Sequence, residues 1–368
     1  MTIIVIGAGV IGCAVAHALA SKGARVQVLD GREPGMGASQ ASAGILAPSI
    51  DERSSDLMRL TRSSLGMYES FMARVRAESG MSVEYERRGM LKIALTDEDA
   101  DALAAQAADL FEVGIAHSFL LRGDARTEEP ALTDAVVAGL LVPAYGYVSV
   151  RTLVDALVAA AQRAGATFTR TQVDAIRPGA SGVSVTTAEG SIDADAVVVT
   201  AGSWASSLLG TAVEGIRPIR GQLLYLSAGE RPVSRVIYGS RCYLVPWRDG
   251  TVLAGATVED VGFDERPTPE GIDELHDAAA ALVPSLADAP IDGVRVGLRP
   301  RGRRESPVIG AVPGLPHVFC AVGHYRNGVI LTPLTAALIA DLVLDGRERP
   351  ELALVRPDRA VSLDGHHP

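Results

Sequence analysis

The sequence predicts an α/β protein of two domains, a Rossmann-type nucleotide-binding domain and a second domain built on a large antiparallel sheet. The chain opens with a strand–helix–strand pattern, and strand-like runs with turn residues between them fill residues 217–258. The length of 368 residues also favours about two domains, because single cores rarely exceed about 250 to 300 residues. Since α/β segments occur at both ends of the chain, we expect it to cross between the domains more than once.

The first elements form a βαβ unit. "IIVI" at residues 3–6 is a short apolar run typical of a buried strand. A helix is predicted from about Gly12 to Lys22, closing at Gly23, and "ARVQVLD" predicts the second strand. The next segment, "GREPGMGASQASAGILAP", is rich in Gly, Ser and Ala, and we interpret it as a loop without regular structure.

Later elements alternate before the chain turns to antiparallel sheet. Helices are predicted in "LMRLTRSSLGMYESFMARVRAESG", "DEDADALAAQAADLFEVG", "VRTLVDALVAAAQRAG" and "LTAALIADLVLDG", the last starting near Pro333 because proline suits a first helical turn. Strands are predicted in "RGMLKIAL", "ATFTRTQV", "DAVVVTAG", "RPIRGQLLYL", "RCYLVPW", "TVLAGATV" and "HVFCAVG". Hairpin turns are expected at residues 188–190 and 248–250.

Composition narrows the possible partners. The 44 acidic residues exceed the 34 Lys and Arg, which gives a net charge of −10 and disfavours nucleic acid and anionic membranes. Cys13, Cys242 and Cys320 are far apart and odd in number, so we expect neither a disulfide framework nor a metal site. No secretory leader is evident, and no uninterrupted apolar run reaches the roughly 18 to 20 residues of a membrane span. We therefore expect a soluble cytoplasmic protein.

The motif "GAGVIG" predicts a dinucleotide site. Gly7 permits a tight turn, Gly9 lets backbone approach a pyrophosphate, and Gly12 allows close packing of the helix on the strand. Asp30, at the end of the second strand, would accept a hydrogen bond from a ribose hydroxyl. The motif alone fits NAD or FAD. Because there is one fingerprint and the Ser39-to-Leu46 loop follows at once, FAD is favoured.

Two arginines stand out near the end of the chain. Arg326 lies in "GHYRNGVILTP", between an apolar strand and an apolar helix, where an ordinary turn needs no guanidinium. Arg299 lies among Arg295, Arg301, Arg303 and Arg304. An arginine offers a planar fork suited to a carboxylate, so either residue is a candidate anion ligand. The residues themselves do not select one arginine of the cluster.

The sequence resembles the FAD-dependent amine oxidases of the D-amino acid oxidase superfamily, and most closely the glycine oxidases of the thiamine pathway. The resemblance spans residues 2 to about 345 and rests on "GAGVIG…VLD…GASQASAGILAP", "VVVTAGSWA", "RCYLVPW", "VGLRPRGRRESPVIG" and "GHYRNGVILTPLTAALIADL". It implies an FAD-binding domain of residues 1–80, 146–210 and 296–368. A substrate-binding domain would comprise residues 81–145 and 211–295.

The resemblance also implies roles for individual residues. Those expected to contact FAD are Gly7, Gly9, Val10, Ile11, Gly12, Asp30, Gly31, Ser39, Ala43, Gly44, Ile45, Val173 (at the adenine end), Ala201, Gly202, His324, Tyr325, Arg326, Asn327, Gly328, Val329 and Ile330. Arg299 and Arg326 would bind the substrate carboxylate, and Tyr243 would close the pocket. Ile45 and Val258 would line it, at positions where related enzymes often carry methionine.

The implied activity is oxidative deamination of glycine or a similar small amino acid, with O₂ as acceptor and hydrogen peroxide as product. FAD would be bound non-covalently, because Cys320 lies within an apolar strand rather than in a flavin-linking position. Three alternatives stay open at this point. One is oxidation of sarcosine, another N-methyl amine or a D-amino acid; another is a flavin dehydrogenase that passes electrons to a carrier; the third is nucleotide binding without catalysis. A homo-oligomer is possible, and the sequence does not fix the oligomeric state.

Overall fold

The computed structural model describes residues 1–48, 55–213, 215–302 and 305–357. Its α-helices are α1 (Val10–Ser21), α2 (Ser55–Ser79), α3 (Asp97–Glu112), α4 (Arg122–Glu128), α5 (Val150–Arg163), α6 (Ala205–Leu209), α7 (Pro269–Leu282) and α8 (Gly328–Asp345). The strands are β1 (Thr2–Ile6), β2 (Arg25–Asp30), β3 (Ile45–Leu46), β4 (Tyr85–Glu86), β5 (Met90–Ala94), β6 (Ser118–Leu121), β7 (Ala138–Val142), β8 (Gly146–Val148), β9 (Thr167–Arg170), β10 (Val173–Pro178), β11 (Val183–Thr187), β12 (Gly190–Ala194), β13 (Ala196–Val199), β14 (Arg217–Ser227), β15 (Val236–Tyr238), β16 (Tyr243–Pro246), β17 (Thr251–Gly255), β18 (Ile291–Arg301), β19 (Val308–Ala311) and β20 (Val318–Val322).

The first sheet is mostly parallel, with the strand order β19-β20-β13-β1-β2-β9. Its central strand β1 pairs in parallel with β13 and with β2, and Ile3, Ile4 and Val5 are fully buried. Strands buried on both faces read as continuous apolar runs, which is why "IIVI" and "VVVT" could be recognised. Helix α1 packs against α5 and α8, and this helical layer belongs to the same hydrophobic core as β1. The layer covers one face of the mostly parallel sheet.

The second sheet is large and mostly antiparallel, with the order β18-β14-β17-β16-β15-β5-β7-β6. Its long strands β14 and β18 pair from Arg217↔Arg301 to Leu226↔Ile291. One face of this large sheet packs against α7 through Leu275, Ala279 and other apolar side chains. The opposite face carries Leu223, Val245 and Leu253, which belong to the core shared with the first sheet. This second face is therefore turned toward the mostly parallel sheet.

Helix α8 begins at Gly328, five residues before the predicted start at Pro333. Proline is tolerated here because a side chain replaces the hydrogen bond that its missing N–H cannot make. In an α-helix the amide of residue 333 would bond to the carbonyl of Val329. The fully buried Tyr68 hydroxyl donates to that carbonyl instead, at 2.5 Å. The predicted start at Pro333 is therefore wrong. The sequence around Pro333 could not show that Tyr68, which lies in α2, supplies this hydrogen bond.

Two other local predictions differ from the structure. Helix α1 begins at Val10 rather than Gly12, directly after the glycine turn. The segment 31–48, predicted to be irregular, contains a 3₁₀ helix (Ala38–Ala41) and β3, which pairs with β8. Small side chains allow this segment to pack closely, as Gly44 does against the Val148 carbonyl. Its composition reflects this close packing rather than the absence of structure.

One helix among the described residues is long and apolar enough to cross a membrane, which differs from the expectation from sequence. The stretch Tyr325–Asp345 has a mean hydropathy of 1.7 in its most apolar window, and 78% of that window is buried inside the protein. It packs against α1 and α2. A helix that is apolar all round is found in a membrane or in a core, and here it occupies the core.

The two sheets follow the predicted domain segments closely but not fully. Every strand of the mostly parallel sheet lies within residues 1–80, 146–210 or 296–368. The large sheet takes its strands from residues 81–145 and 211–295, except that β18 continues to Arg301. The predicted boundary at residue 296 thus falls inside a strand. The domain division itself stays a prediction.

Candidate functional site

A cavity of about 570 Å³ lies between the two sheets and is lined by residues of both. Of the residues predicted above, those that line it are Gly7, Gly9, Val10, Ile11, Asp30, Gly31, Ser39, Ala43, Gly44, Ile45, Val173, Ala201, Gly202, Tyr243, Val258, Arg299, His324, Tyr325, Arg326, Asn327, Gly328, Val329 and Ile330. Gly12 does not line the cavity. It packs against the glycine turn, as its predicted role in helix–strand packing requires.

The glycine turn between β1 and α1 forms one end of the cavity. Gly7 has a φ of 107°, a conformation that an L side chain rarely adopts. The carboxylate of Asp30 accepts hydrogen bonds from the amides of Ala8 (2.7 Å) and Arg32 (2.8 Å). Ser39 Oγ accepts from the Val10 amide at 3.0 Å. The turn is thereby fixed from two sides, with the N-terminus of α1 at the cavity wall.

The junction from β20 to α8 forms a second wall. His324 is buried, its Nε2 lies 3.1 Å from Thr335 Oγ1, and burial lowers its pKa to about 3. His324 is therefore a neutral residue at physiological pH. Tyr325 has a φ of 49°, unusual for a residue with a side chain, and the guanidinium groups of Arg301 and Arg326 lie 5.5 and 5.2 Å from the centroid of its ring. Such backbone strain is frequent at ligand sites.

Arg299 and Tyr243 lie together on the wall formed by the large sheet. Arg299 Nη1 donates to the carbonyl oxygens of Thr257 (3.0 Å) and Arg220 (3.4 Å). Burial raises the pKa of Tyr243 to about 12, and the nearby charges of Arg299 and Arg326 limit the rise. The phenol is thus neutral over the ordinary pH range. The site presents a guanidinium beside a neutral hydroxyl, which suits a small carboxylate.

The described arginines of the 295–304 cluster have different surroundings in the structure. Arg299 lines the cavity, whereas Arg301 pairs with Glu305 and Arg295 lies over the ring of Tyr225 on the outer part of β18. Arg303 and Arg304 lie outside the described residues. Of the three described members, Arg299 alone reaches the cavity, a distinction that sequence could not make.

Several cavity residues were not predicted from sequence. Arg32 forms a two-point ion pair with Glu265 (2.9 and 2.7 Å) and lies 4.6 Å from the Trp204 ring centroid. The Trp204 ring in turn contacts Phe263, with a centroid separation of 5.6 Å. Lys92, Tyr238, Arg241 and Cys242 also line the cavity. These contacts join distant segments, so no local pattern could have shown them.

Comparison with known proteins assigns the chain to a family. The family model described as FAD dependent oxidoreductase (DAO) matches residues 2–342. The chain belongs to this family. Its cofactor is therefore FAD, as the sequence predicted, and the D-amino acid oxidase resemblance is confirmed.

Several relatives are similar over nearly the whole chain. A glycine oxidase from Geobacillus kaustophilus (strain HTA426) is 34% identical over 356 residues, covering 95% of this chain and 93% of that protein. A crystal structure of glycine oxidase from Geobacillus kaustophilus superposes with a TM-score of 0.90 at 33% identity, covering 95% of each chain. The bifunctional protein ThiO/ThiG from Synechocystis sp. (strain ATCC 27184 / PCC 6803 / Kazusa) is 35% identical over 98% of this chain but only 54% of its own length. The α/β fold with a large antiparallel sheet is thereby confirmed.

The cavity fits FAD. Its lining contains the glycine turn and Asp30 for the adenosine and pyrophosphate, and the β20–α8 junction for the ring system. Among the described residues, the buried side-chain nitrogen Nδ2 of Asn327 has no hydrogen-bond partner. Buried donors are normally paired, so this amide is suited to an acceptor on the cofactor. Roles of single residues toward FAD stay predictions.

The cysteines bear on how FAD is held. Cys320 is fully buried in the core on the far side of the mostly parallel sheet, and burial raises its pKa to about 12. Cys242 lines the cavity, but burial raises its pKa to about 12 as well. The thiolate is the reactive form of cysteine, so neither residue is poised to form a flavin bond.

We therefore expect FAD to leave the denatured protein. Acid precipitation of the yellow protein should leave all the colour in the supernatant, as measured by its absorbance. Colour that stays in the pellet after washing would instead show a covalent bond. Digesting the pellet and isolating the flavin-bearing peptide would then identify the residue involved.

Proposed function

We propose that this protein is an FAD-dependent oxidase of glycine or a similarly small amino acid, which yields the 2-oxo acid, ammonia and hydrogen peroxide. The observation that carries the proposal is the position of Arg299, a guanidinium on the wall of an FAD cavity in a protein of net charge −10. A small amino acid offers a carboxylate as its main charged group. The identity of about one third with glycine oxidases over 95% of the chain supports the same substrate.

The hydrogen bonds of Arg299 hold its guanidinium at the cavity wall. Its Nη1 is engaged by two backbone carbonyls, those of Thr257 and Arg220. The Tyr243 hydroxyl is a further partner of this side chain. A guanidinium carries five N–H donors, so those not used by these partners can bind the carboxylate. Arg326 is more exposed and contacts Tyr325, so we assign it a secondary role in attracting and orienting the same anion.

The remaining chemistry needs orientation rather than a strong base. Bound FAD would supply the redox chemistry, as acceptor of a hydride from the substrate α-carbon and donor of the electrons to O₂. Water then hydrolyses the imino acid. Tyr243, with a pKa of about 12, keeps its proton, and His324, with a pKa of about 3, is too weak a base to remove a proton from a protonated amine. The substrate amine would therefore react in its neutral form, held in place by its carboxylate.

The width of the cavity beside the substrate depends on Val258 and Ile45. Val258 lines the cavity, yet 54% of its surface is exposed, so its side chain forms the rim of the site. Replacing Val258 with alanine should raise kcat/KM for larger D-amino acids relative to glycine. One or two methyl groups in an apolar pocket are worth about 1 to 3 kcal/mol, so the change should be partial. An unchanged ratio of kcat/KM values between D-alanine and glycine would place Val258 outside the substrate pocket.

The proposed setting is the cytoplasm, with a small amino acid and O₂ as the reactants. Likeness to ThiO/ThiG proteins supports a role in which the product of the reaction is used for thiamine thiazole synthesis. Nothing in the proposed chemistry requires a nucleic acid or a membrane. An oxidase of this kind would function alone or as a homo-oligomer.

Product analysis tests the proposal. Incubation with glycine in air should yield glyoxylate, ammonia and hydrogen peroxide in equal amounts, with one O₂ consumed for each glyoxylate formed. Turnover that requires an added quinone or dye, without peroxide, would support a dehydrogenase instead. Turnover of sarcosine with a much higher kcat/KM than glycine would favour the N-methyl amine alternative.

A further inference from the structure

Two glycines of the large sheet lie directly beneath the side chains proposed to bind the substrate. Gly221 lies in β14 and Gly255 lies in β17, and both are buried. A glycine within a strand weakens it, and often marks a place where another group approaches the backbone closely. At both positions the approaching group is a side chain of the same sheet.

Gly221 lies under Arg299. Across the β14–β18 pair, Ile219 is opposite Arg299 and Gly221 is opposite Gly297, so these residues share one face of the sheet. A Cβ atom built on Gly221 would lie 2.1 Å from Arg299 Nη2 and 2.3 Å from both Cζ and Nη1. The guanidinium therefore rests on the backbone of Gly221, in the space that any other side chain would fill.

Gly255 has the same relation to Tyr243. The two residues are directly opposite each other across the β16–β17 pair. A Cβ atom on Gly255 would lie 2.7 Å from Tyr243 Oη and 2.8 Å from Cε2, and also 2.2 Å from Leu223 Cδ2. The phenol thus occupies the space that a side chain at residue 255 would fill, and its hydroxyl interacts with Arg299.

A hydrogen bond holds the Arg299 guanidinium in place over Gly221. The Thr257 carbonyl accepts from Nη1 at 3.0 Å. Thr257 is itself held, since its Oγ1 accepts a hydrogen bond from the backbone N–H of Gln222 (2.9 Å) and donates one to Glu259 Oε1 (2.5 Å). Arg299 cannot move away from the sheet without losing the carbonyl contact.

We propose that Gly221 and Gly255 are positioning residues, which set the depth at which Arg299 and Tyr243 hold the substrate carboxylate. This inference rests on the proposed function, since it concerns the same substrate. Any side chain at Gly221 would lift the guanidinium into the cavity and tilt its fork. The carboxylate would then sit in a different place relative to FAD.

Gly221→Ala tests the proposal. We expect KM for glycine to rise at least tenfold and the affinity for a competing small carboxylate such as acetate to fall similarly, measured by perturbation of the flavin absorbance. Turnover of a small amine without a carboxylate should change less than twofold, and FAD content should be retained. Gly293→Ala, at an open position of β18 where no other atom lies within 4 Å of the added Cβ, should behave as wild type. Because acetate binding needs no turnover, it tests the positioning role even if glycine is not the substrate.

A double-mutant cycle separates positioning from a general packing defect. In an Arg299→Ala background, Gly221→Ala should have no further effect on acetate affinity, because the displaced group is gone. If Gly221→Ala alone fails to fold, the double variant should fold, since the three atoms closest to the added Cβ all belong to Arg299. A double variant that also fails to fold would overturn the proposal. So would equal losses from Gly221→Ala with and without Arg299.

Discussion

Arg299→Ala is expected to lower kcat/KM for glycine by about 2 to 5 kcal/mol, the usual cost of removing one partner of a buried charge pair. The guanidinium is half-buried on the cavity wall, where two backbone carbonyls hold Nη1 and the Tyr243 hydroxyl is a further partner. Without it, the carboxylate loses its main ligand and the α-carbon loses its position. Steady-state kinetics with glycine measure the effect directly.

Three controls define the role of Arg299. Arg299→Lys should restore only part of kcat/KM, because an ammonium cannot reproduce the bidentate fork. An amine without a carboxylate should be affected far less, and FAD content should be unchanged. Arg295→Ala removes an equal charge from the same strand outside the cavity and should be close to wild type. Near-normal kinetics for Arg299→Ala, together with loss of activity in Arg301→Ala, would show that the assignment within the cluster is wrong.

Gly12→Ala is expected to weaken FAD binding strongly. A Cβ atom at this position would lie 1.9 Å from the Gly7 carbonyl oxygen and 2.6 Å from Thr200 Oγ1. The oxygen is backbone and accepts a hydrogen bond from Thr200 at 2.9 Å, so it cannot give way as a flexible side chain would. The glycine turn must shift instead. Overpacking costs about 1 to 3 kcal/mol or more, which corresponds to roughly a five- to 150-fold loss of affinity.

A matched glycine in another helix supplies the control. Gly66 lies in α2, is exposed, and has no other atom within 4 Å of an added Cβ. Gly66→Ala should keep full FAD content and gain a little thermal stability, because alanine is favoured over glycine in a helix by about 1 kcal/mol. Titration of each apoprotein with FAD, followed by flavin fluorescence, gives the dissociation constants. Equal constants for Gly12→Ala and wild type would refute the packing role of Gly12.

The parts of the fold set by local pattern were predictable. Buried strands such as β1 and β13 are continuous apolar runs, and the glycine motif with Asp30 dictates a tight turn by its own stereochemistry. The residues predicted to contact FAD line the cavity, Gly12 excepted, and many of them belong to that motif or to the β20–α8 junction.

Features set by contacts between distant segments could not be predicted. Proline at 333 suggested a helix start, but the Tyr68 hydroxyl, 261 residues before Val329, makes an internal proline acceptable. The sequence presents Gly221 as one glycine in a strand, and only the register of β14 with β18 places Arg299 over it. Arg295, Arg299 and Arg301 share one face of β18, so the choice of Arg299 likewise depends on which part of the strand lies at the cavity.

Anaerobic reduction by glycine tests the central claim most directly. The purified yellow protein, mixed with glycine in the absence of oxygen, should lose the visible absorbance of its oxidised flavin, and the absorbance should return when air is admitted. Arg299→Ala should need a far higher glycine concentration for the same rate. If glycine leaves the spectrum of the FAD-loaded protein unchanged, this protein is not a glycine oxidase and the proposed role of Arg299 must be abandoned.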